Sequence, residues 1–104
     1  MIVEERDYRV RAGKLASFVS LYGEHGLPIQ LEYLGKFHGY FTTEIGELNH
    51  VVAWWSYEDL QDRQVRREQM MGDERWHAYL ARVDGLLELQ TSRILKPTSY
   101  SPLR

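Results

Sequence analysis

The sequence contains no cysteine, which excludes a disulfide scaffold, thiol catalysis and cysteine-ligated metals. It also lacks an excess of positive charge, because 13 Lys and Arg stand against 15 Asp and Glu, giving a net charge of −2. Binding to nucleic acid needs clustered, unbalanced Lys and Arg, so we expect no nucleic-acid partner. No apolar run approaches the roughly 18 residues of a membrane-spanning helix, so we expect no membrane span.

Common sequence signatures of catalysis are missing as well. The chain has no P-loop, GxGxxG turn, nucleophile elbow or HExxH motif. Nucleotide-, serine- and zinc-dependent chemistry therefore has no support, and we expect neither a metal nor a cofactor. Residues 1–5 show neither the basic start nor the apolar core of a signal peptide, so we expect a cytoplasmic protein.

What the chain does contain is ordinary globular composition, with 43% hydrophobic and 12% aromatic residues in 104. This length predicts one domain, residues 1–104, in which 96–104 form an extended C-terminal tail. Alternating and helical hydrophobic periods predict β-α-β-β-α-β order. The predicted strands are 2–10, 36–44, 49–57 and 88–95. Each helical region is expected to be divided in two, the first by Gly26 and the second by Gly72-Asp73. Ser56 and Asp59 are expected to form a capping box at the start of the second region.

This order is typical of an α+β, ferredoxin-like protomer, a four-stranded antiparallel sheet with helices on one face. The third strand, however, carries bulky apolar side chains on both faces, with Trp54 on one and Trp55 on the other. Both faces of the sheet must then be buried against another structural element. We expect a second copy to supply it in a homodimeric α/β barrel or a higher even-numbered oligomer; the alternative is a patch that binds another protein.

Three stretches in the beginning, middle and end of the chain carry a family resemblance. They are Glu4-x-Arg6-x-Tyr8 with Gly13-Lys14, the run 39–49 continued by Val51-Val52 and Trp55-Ser56-Tyr57, and the run 92–97 with Ser101-Pro102-Leu103. Together they resemble the NIPSNAP family over nearly the whole chain. The resemblance implies a dimeric α/β barrel and no assigned reaction. The same barrel also hosts cofactor-free monooxygenases, which is an analogy of fold alone.

The chain departs from the family pattern at two positions. Many relatives have Val-His-x-Trp where this sequence has Ala53, so a mechanism that uses that imidazole would fail here. Glu5 stands where relatives often have an aliphatic residue, and we expect it on a partly solvated strand edge.

Polar residues on one face of the first strand form the first candidate site. Glu4, Arg6 and Tyr8 alternate along it, and Arg93 of the last strand is expected to join them. In the barrel this face is expected to turn toward the interior, where Arg6 would bind a carboxylate or enolate, Glu4 act as a base and Tyr8 donate a hydrogen bond. The alternative, which we favour, is a structural ion pair between Glu4 and Arg6 within or between protomers.

Two further groups are candidates for ligand binding or proton transfer. His38 and His50 fall on neighbouring strands, about 13 Å apart if His50 lies opposite Thr42, too far to share a metal. Each is a candidate general base, or an ordinary hydrogen-bonded strand residue. Trp54 with Tyr40 would line a pocket for a flat apolar ligand, unless both are core residues. Arg63, Arg66 and Arg67 are interpreted as a solvated helix face.

Two functions follow from these observations. The first is a binding module for a small molecule or a protein, favoured because no compact catalytic constellation is evident. The second is a cofactor-independent monooxygenase or isomerase acting on a small aromatic or oxo-acid metabolite. In that enzyme His38 or His50 would abstract a proton and Arg6 would hold the anion.

Overall fold

The computed structural model describes all 104 residues and shows a four-stranded antiparallel sheet carrying its helices on one face. The strands are β1 (Ile2–Val10), β2 (Lys36–Thr42), β3 (His50–Tyr57) and β4 (Leu87–Leu95). The helices are α1 (Leu15–Leu21), α2 (Leu27–Tyr33), α3 (Leu60–Met71) and α4 (Glu74–Arg82). The sheet order β2-β3-β1-β4 confirms the predicted α+β, ferredoxin-like arrangement.

The first helical region is continuous, contrary to the predicted break at Gly26. A π-helical segment, Tyr22–Gly26, joins α1 to α2, and Gly26 keeps helical dihedral angles of φ −92° and ψ −51°. The glycine serves packing instead, since a Cβ there would lie 2.8 Å from the ring of Tyr79 on α4. A close approach between two elements and a helix stop use the same residue type, so the sequence could not distinguish them.

The second helical region is divided at Gly72-Asp73 as predicted, but the capping box was placed wrongly. Asp59 is the N-cap of α3, because its carboxylate accepts a 2.7 Å hydrogen bond from the backbone of Asp62. Ser56 lies inside β3 instead, with its hydroxyl hydrogen-bonded to His38. Asp73 caps α4 in the same way through the backbone of Arg75.

A bulge in β2 changes which of its side chains face the helices. The pairing with β3 shifts between Phe37 and Gly39, after which Tyr40 lies opposite Ala53 and Thr42 opposite Val51. Phe37 and Tyr40 therefore both face the helices, and His50 is not opposite Thr42 as predicted. Counting residues in twos cannot detect an inserted residue.

The hydrophobic core lies between the sheet and the helices. Its most buried side chains are Val10, Phe18, Val51, Trp55 and Met70. No helix covers the other side of the sheet, which we call the open face, and the molecule is a slab of 41 × 36 × 19 Å. No helix combines the length and the hydropathy needed to cross a membrane.

Candidate functional site

A charged cluster lies beneath the helices, on the side of the sheet that also holds the hydrophobic core. Its centre is Glu4 of β1, whose side chain is fully buried. One carboxylate oxygen, Oε2, accepts hydrogen bonds from Arg6 at 3.1 Å, from Arg63 of α3 at 2.7 Å and from Ser92 of β4 at 2.7 Å. The other oxygen, Oε1, is buried without a partner. The cluster thus ties β1, β4 and α3 to one carboxylate.

The charge state of this cluster follows from its contacts. Burial by itself raises the pKa of Glu4, but hydrogen bonds from Arg63 and Ser92 and the charge of Arg6 outweigh it and hold the pKa below the ordinary value. Arg6 also donates from Nε to the Tyr8 hydroxyl at 2.6 Å, and its guanidinium lies 5.4 Å from the centre of that ring. Glu4 is therefore ionised near neutral pH and surrounded by cations.

A third guanidinium belongs to the same cluster without a carboxylate of its own. Arg67 follows Arg63 by one turn of α3 and forms none of the salt bridges of the molecule. Its burial, together with the charges of Arg6 and Arg63, lowers its pKa, and Glu4 offsets this only in part. Beside these charges the Tyr57 hydroxyl is buried and has no hydrogen-bond partner, and burial raises its pKa to about 12.

Three tyrosines are packed together on the same side of the sheet as the charged cluster. Tyr22 and Tyr40 stack with their ring centres 4.3 Å apart, and Tyr79 meets Tyr22 edge-on at 6.2 Å. Burial raises the pKa of all three hydroxyls, so they are neutral donors. Tyr22 donates to Gln30 at 2.5 Å, whereas the hydroxyl of Tyr40 is buried without a partner.

The structure brings Glu4, Arg6 and Tyr8 together but corrects two expectations about them. Their face turns toward the helices, since Arg63 of α3 reaches Glu4, and not toward the open side where a second sheet would pack. Arg93 does not join them, because the pairing of β1 with β4 places it on the open face, where it forms a 2.8 Å salt bridge with Glu5. Ser92 occupies the position expected for Arg93.

The open face carries a different set of side chains. Trp54 lies there, donating from Nε1 to Glu5 at 3.0 Å and meeting the ring of Phe41 at 5.1 Å. Tyr40 is on the opposite side of the sheet, so the expected pocket between Trp54 and Tyr40 does not exist. Glu5 is not at a strand edge either, because β1 is a central strand paired on both sides.

The two strand histidines are far apart and each has its own partner. His38 is hydrogen-bonded through Nε2 to Ser56 at 2.6 Å, at the end of β3. His50 begins β3, with Nδ1 2.6 Å from Asp7 and Nε2 3.4 Å from Glu47. Ser56 lies six positions after His50 along β3, roughly 20 Å at ~3.3 Å per residue. A carboxylate that orients an imidazole is also found in general-base sites.

Arg63, Arg67, Ser92 and Tyr57 were missed as members of the buried cluster. The assignment of Arg63 and Arg67 to a solvated face was wrong, whereas Arg66 does lie outside, paired with Asp62 at 2.8 Å. Helical spacing could not separate them, since position 63 is a neighbour of both position 66, three residues on, and position 67, four residues on. A run of arginines in a charged helix resembles a surface, and only packing shows which members turn inward.

Comparison with known proteins gives the family. The family model described as NIPSNAP matches residues 3–102. The chain therefore belongs to the NIPSNAP family, in agreement with the resemblance of its sequence segments.

Two solved structures show how closely the fold is shared and where the likeness ends. A NIPSNAP family protein from Agrobacterium tumefaciens is 47% identical, with a TM-score of 0.96 over 99% of this chain and 98% of that one. A putative antibiotic biosynthesis monooxygenase from Nitrosomonas europaea is 13% identical, with a TM-score of 0.69 over 93% of this chain and 98% of that one. The second likeness shows the fold alone.

Among curated proteins the chain is similar to Protein NipSnap from Drosophila melanogaster. The two are 30% identical over 101 residues, which make up 97% of this chain and 36% of the fly protein. The chain thus spans about a third of the length of that relative.

Proposed function

We propose that this chain is a homodimeric binding module whose two sheets pack through their open faces. The observation that carries the proposal is the exposed aromatic pair on that face, Trp54 at 37% and Phe41 at 45%. Leu89 and Leu95 of β4 are also exposed. An apolar face of this kind on a sheet normally marks an interaction surface.

The open face carries charges that are largely paired with one another, which favours a second copy as the partner. Glu5 pairs with Arg93, and Glu88 pairs with Arg9 at 3.2 Å, while the remaining carboxylate of this face, Asp7, contacts His50. Two-fold symmetry brings identical patches together, so a face whose charges already have partners within the protomer suits it.

A cleft beside Trp54 supports binding of a small apolar molecule or of a side chain of a protein partner. It has a volume of about 300 Å³ and lies between the open face and the C-terminal tail. Its apolar lining comes from Val3, Trp54, Leu95 and Leu103. This volume is at the lower end of the range for ligand pockets.

Native mass spectrometry of the purified protein tests the proposal directly. We expect an even-numbered assembly, and a discrete additional mass would identify a bound molecule. Trp54→Asp should dissociate the assembly, because it places an unpaired charge in a dry interface. Leu31→Asp, at an exposed position of α2, is the matched control and should leave the assembly intact. A monomeric wild type, or a Trp54→Asp variant that assembles normally, would refute the proposed dimer.

The second candidate is the cofactor-independent enzyme, and the contact between His50 and Asp7 favours it. Asp7 would orient the buried imidazole of His50 as a general base for a small aromatic or oxo acid. Oxygen uptake or isomerisation would be measured on a panel of such acids. Equal turnover by the wild type, His50→Ala and His38→Ala would exclude a mechanism based on these bases.

A further inference from the structure

The charged cluster beneath the helices contains more positive than negative charge. Arg6, Arg63 and Arg67 carry three positive charges, and Glu4 supplies one negative charge. We propose that Arg67 and the Tyr57 hydroxyl, with Arg6 and Arg63, form a binding site for a small oxyanion, the carboxylate or phosphate group of a small molecule. The site is on the opposite side of the sheet from the proposed dimer interface, so neither proposal depends on the other.

The first support is the distribution of ion pairs within the cluster. Glu4 directs a single oxygen, Oε2, at both Arg6 and Arg63, while its Oε1 is buried and accepts nothing. Arg67 has no salt bridge, although Arg6 and Arg63 are close enough to act on its charge. Positive charge placed in a partly desolvated site is unfavourable unless an anion is present. An oxyanion is the group that would neutralise the excess.

The second support is a set of hydrogen-bond donors that have no acceptor. The Nε of Arg63 and the hydroxyl of Tyr57 are both buried without partners. Only 3% of Tyr57 is exposed, and its hydroxyl is within electrostatic range of Glu4, Arg67, Arg63 and Arg6. Buried donors normally have partners, and the one unused acceptor of the cluster, Glu4 Oε1, bonds to neither of them, so an acceptor from outside the chain would satisfy both. Guanidinium groups and a phenol are suited to the oxygens of carboxylate and phosphate.

The third support is that Arg67 has no structural task that explains its position. The helix α3 is already joined to β1 by the 2.7 Å contact between Arg63 and Glu4. It is joined to α2 by Arg66, which donates to the backbone carbonyls of Tyr33 and Leu34 at 3.3 and 3.4 Å. Burial above all, and then repulsion from Arg6 and Arg63 that Glu4 offsets only in part, make the charge of Arg67 unfavourable in the protein alone. A ligand that uses this charge accounts for its retention.

To test the proposal, the melting temperature of the wild type is measured as inorganic phosphate, acetate or benzoate is added in increasing concentration. Sodium chloride at the same ionic strength and pH is the control. We expect at least one oxyanion to stabilise the protein saturably; phosphate alone or the carboxylates alone would identify the group. Arg67→Gln should weaken this binding about tenfold or more, since a hydrogen bond to a charged group is lost. Arg82→Gln removes the same charge from an exposed position of α4 and should bind as the wild type does.

Tyr57→Phe provides a second readout that keeps the buried ring. It should weaken oxyanion binding several-fold, up to about tenfold, without changing the assembly state in native mass spectrometry. Stabilisation of the wild type no greater than that by chloride would overturn the proposal, as would equal binding by Arg67→Gln and Arg82→Gln. Dissociation of the assembly in Arg67→Gln would also overturn it, because Arg67 would then belong to a contact between copies.

Discussion

Each face of the sheet carries some side chains of the kind that is usually found on the other. The face covered by helices contains a fully buried carboxylate, Glu4, and the arginines that surround it, beside an aromatic core. The open face carries the exposed ring of Trp54 next to Phe41. Charges buried inside a protein indicate a site or a specific linkage, whereas apolar side chains exposed outside indicate a partner. Each face therefore points to a different role.

The adjacent tryptophans of β3 give the largest expected contrast between the faces. Trp55→Ala should lower the free energy of unfolding by about 3–5 kcal/mol, because it removes a fully buried ring from the core. Trp54→Ala should act mainly on association, so its effect on unfolding should depend on protein concentration. Urea unfolding at several protein concentrations measures both. Equal, concentration-independent losses would show that Trp54 does not lie in an interface.

The adjacent glutamates of β1 repeat the comparison for charge. Glu4→Ala leaves Arg6 and Arg63 without their carboxylate and should cost about 3 kcal/mol, the lower end for a broken buried pair, because both guanidiniums keep some access to water. Glu5→Ala removes a pair in which Arg93 is well exposed within the protomer, so at protein concentrations that keep the protein monomeric it should cost about 1 kcal/mol or less. Urea unfolding of the two variants provides the measurement. A larger effect at Glu5 would contradict the distinction between the faces.

The pH dependence of stability should reflect the titration of Glu4, on the face that the helices cover. The pKa of Glu4 is lower in the folded protein than its ordinary value of 4.5, so the folded state binds its proton less readily than the unfolded state does. The resulting stabilisation is complete above about pH 4.5 and is lost as the pH falls through the lower, folded value. The difference in unfolding free energy between the wild type and Glu4→Gln should therefore shrink below pH 4.5. A difference that stays constant from pH 7 to pH 3 would contradict this.

The smallest expected effect concerns Arg67 in the absence of a ligand. Replacement by Gln removes a charge that is partly buried and is repelled by Arg6 and Arg63, so the melting temperature in chloride should rise slightly. The same substitution at Arg82 should leave it unchanged. A clear fall in the melting temperature of Arg67→Gln would mean that this guanidinium stabilises the empty protein.

Sequence reasoning predicted the elements better than the site because periodicity reports on one element at a time. The strand from Ile2 to Val10 and the division at Gly72-Asp73 were confirmed, since both depend on local patterns. The side of the sheet on which Glu4 and Arg6 lie was predicted wrongly, because a strand pattern defines two faces without saying which one the helices cover. The bulge after Phe37 was likewise invisible to residue counting.

By itself, the sequence determined the order of the elements, their antiparallel arrangement and the family, because hydrophobic period, turn residues and family segments are all read along the chain. Only the tertiary structure decided that Arg63 and Arg67 turn inward, that Ser92 and not Arg93 reaches Glu4, and that Trp54 and Tyr40 lie on opposite faces. These outcomes depend on register and on how α3 is rotated against the sheet. Both are set by packing between segments distant in sequence, which no local pattern encodes.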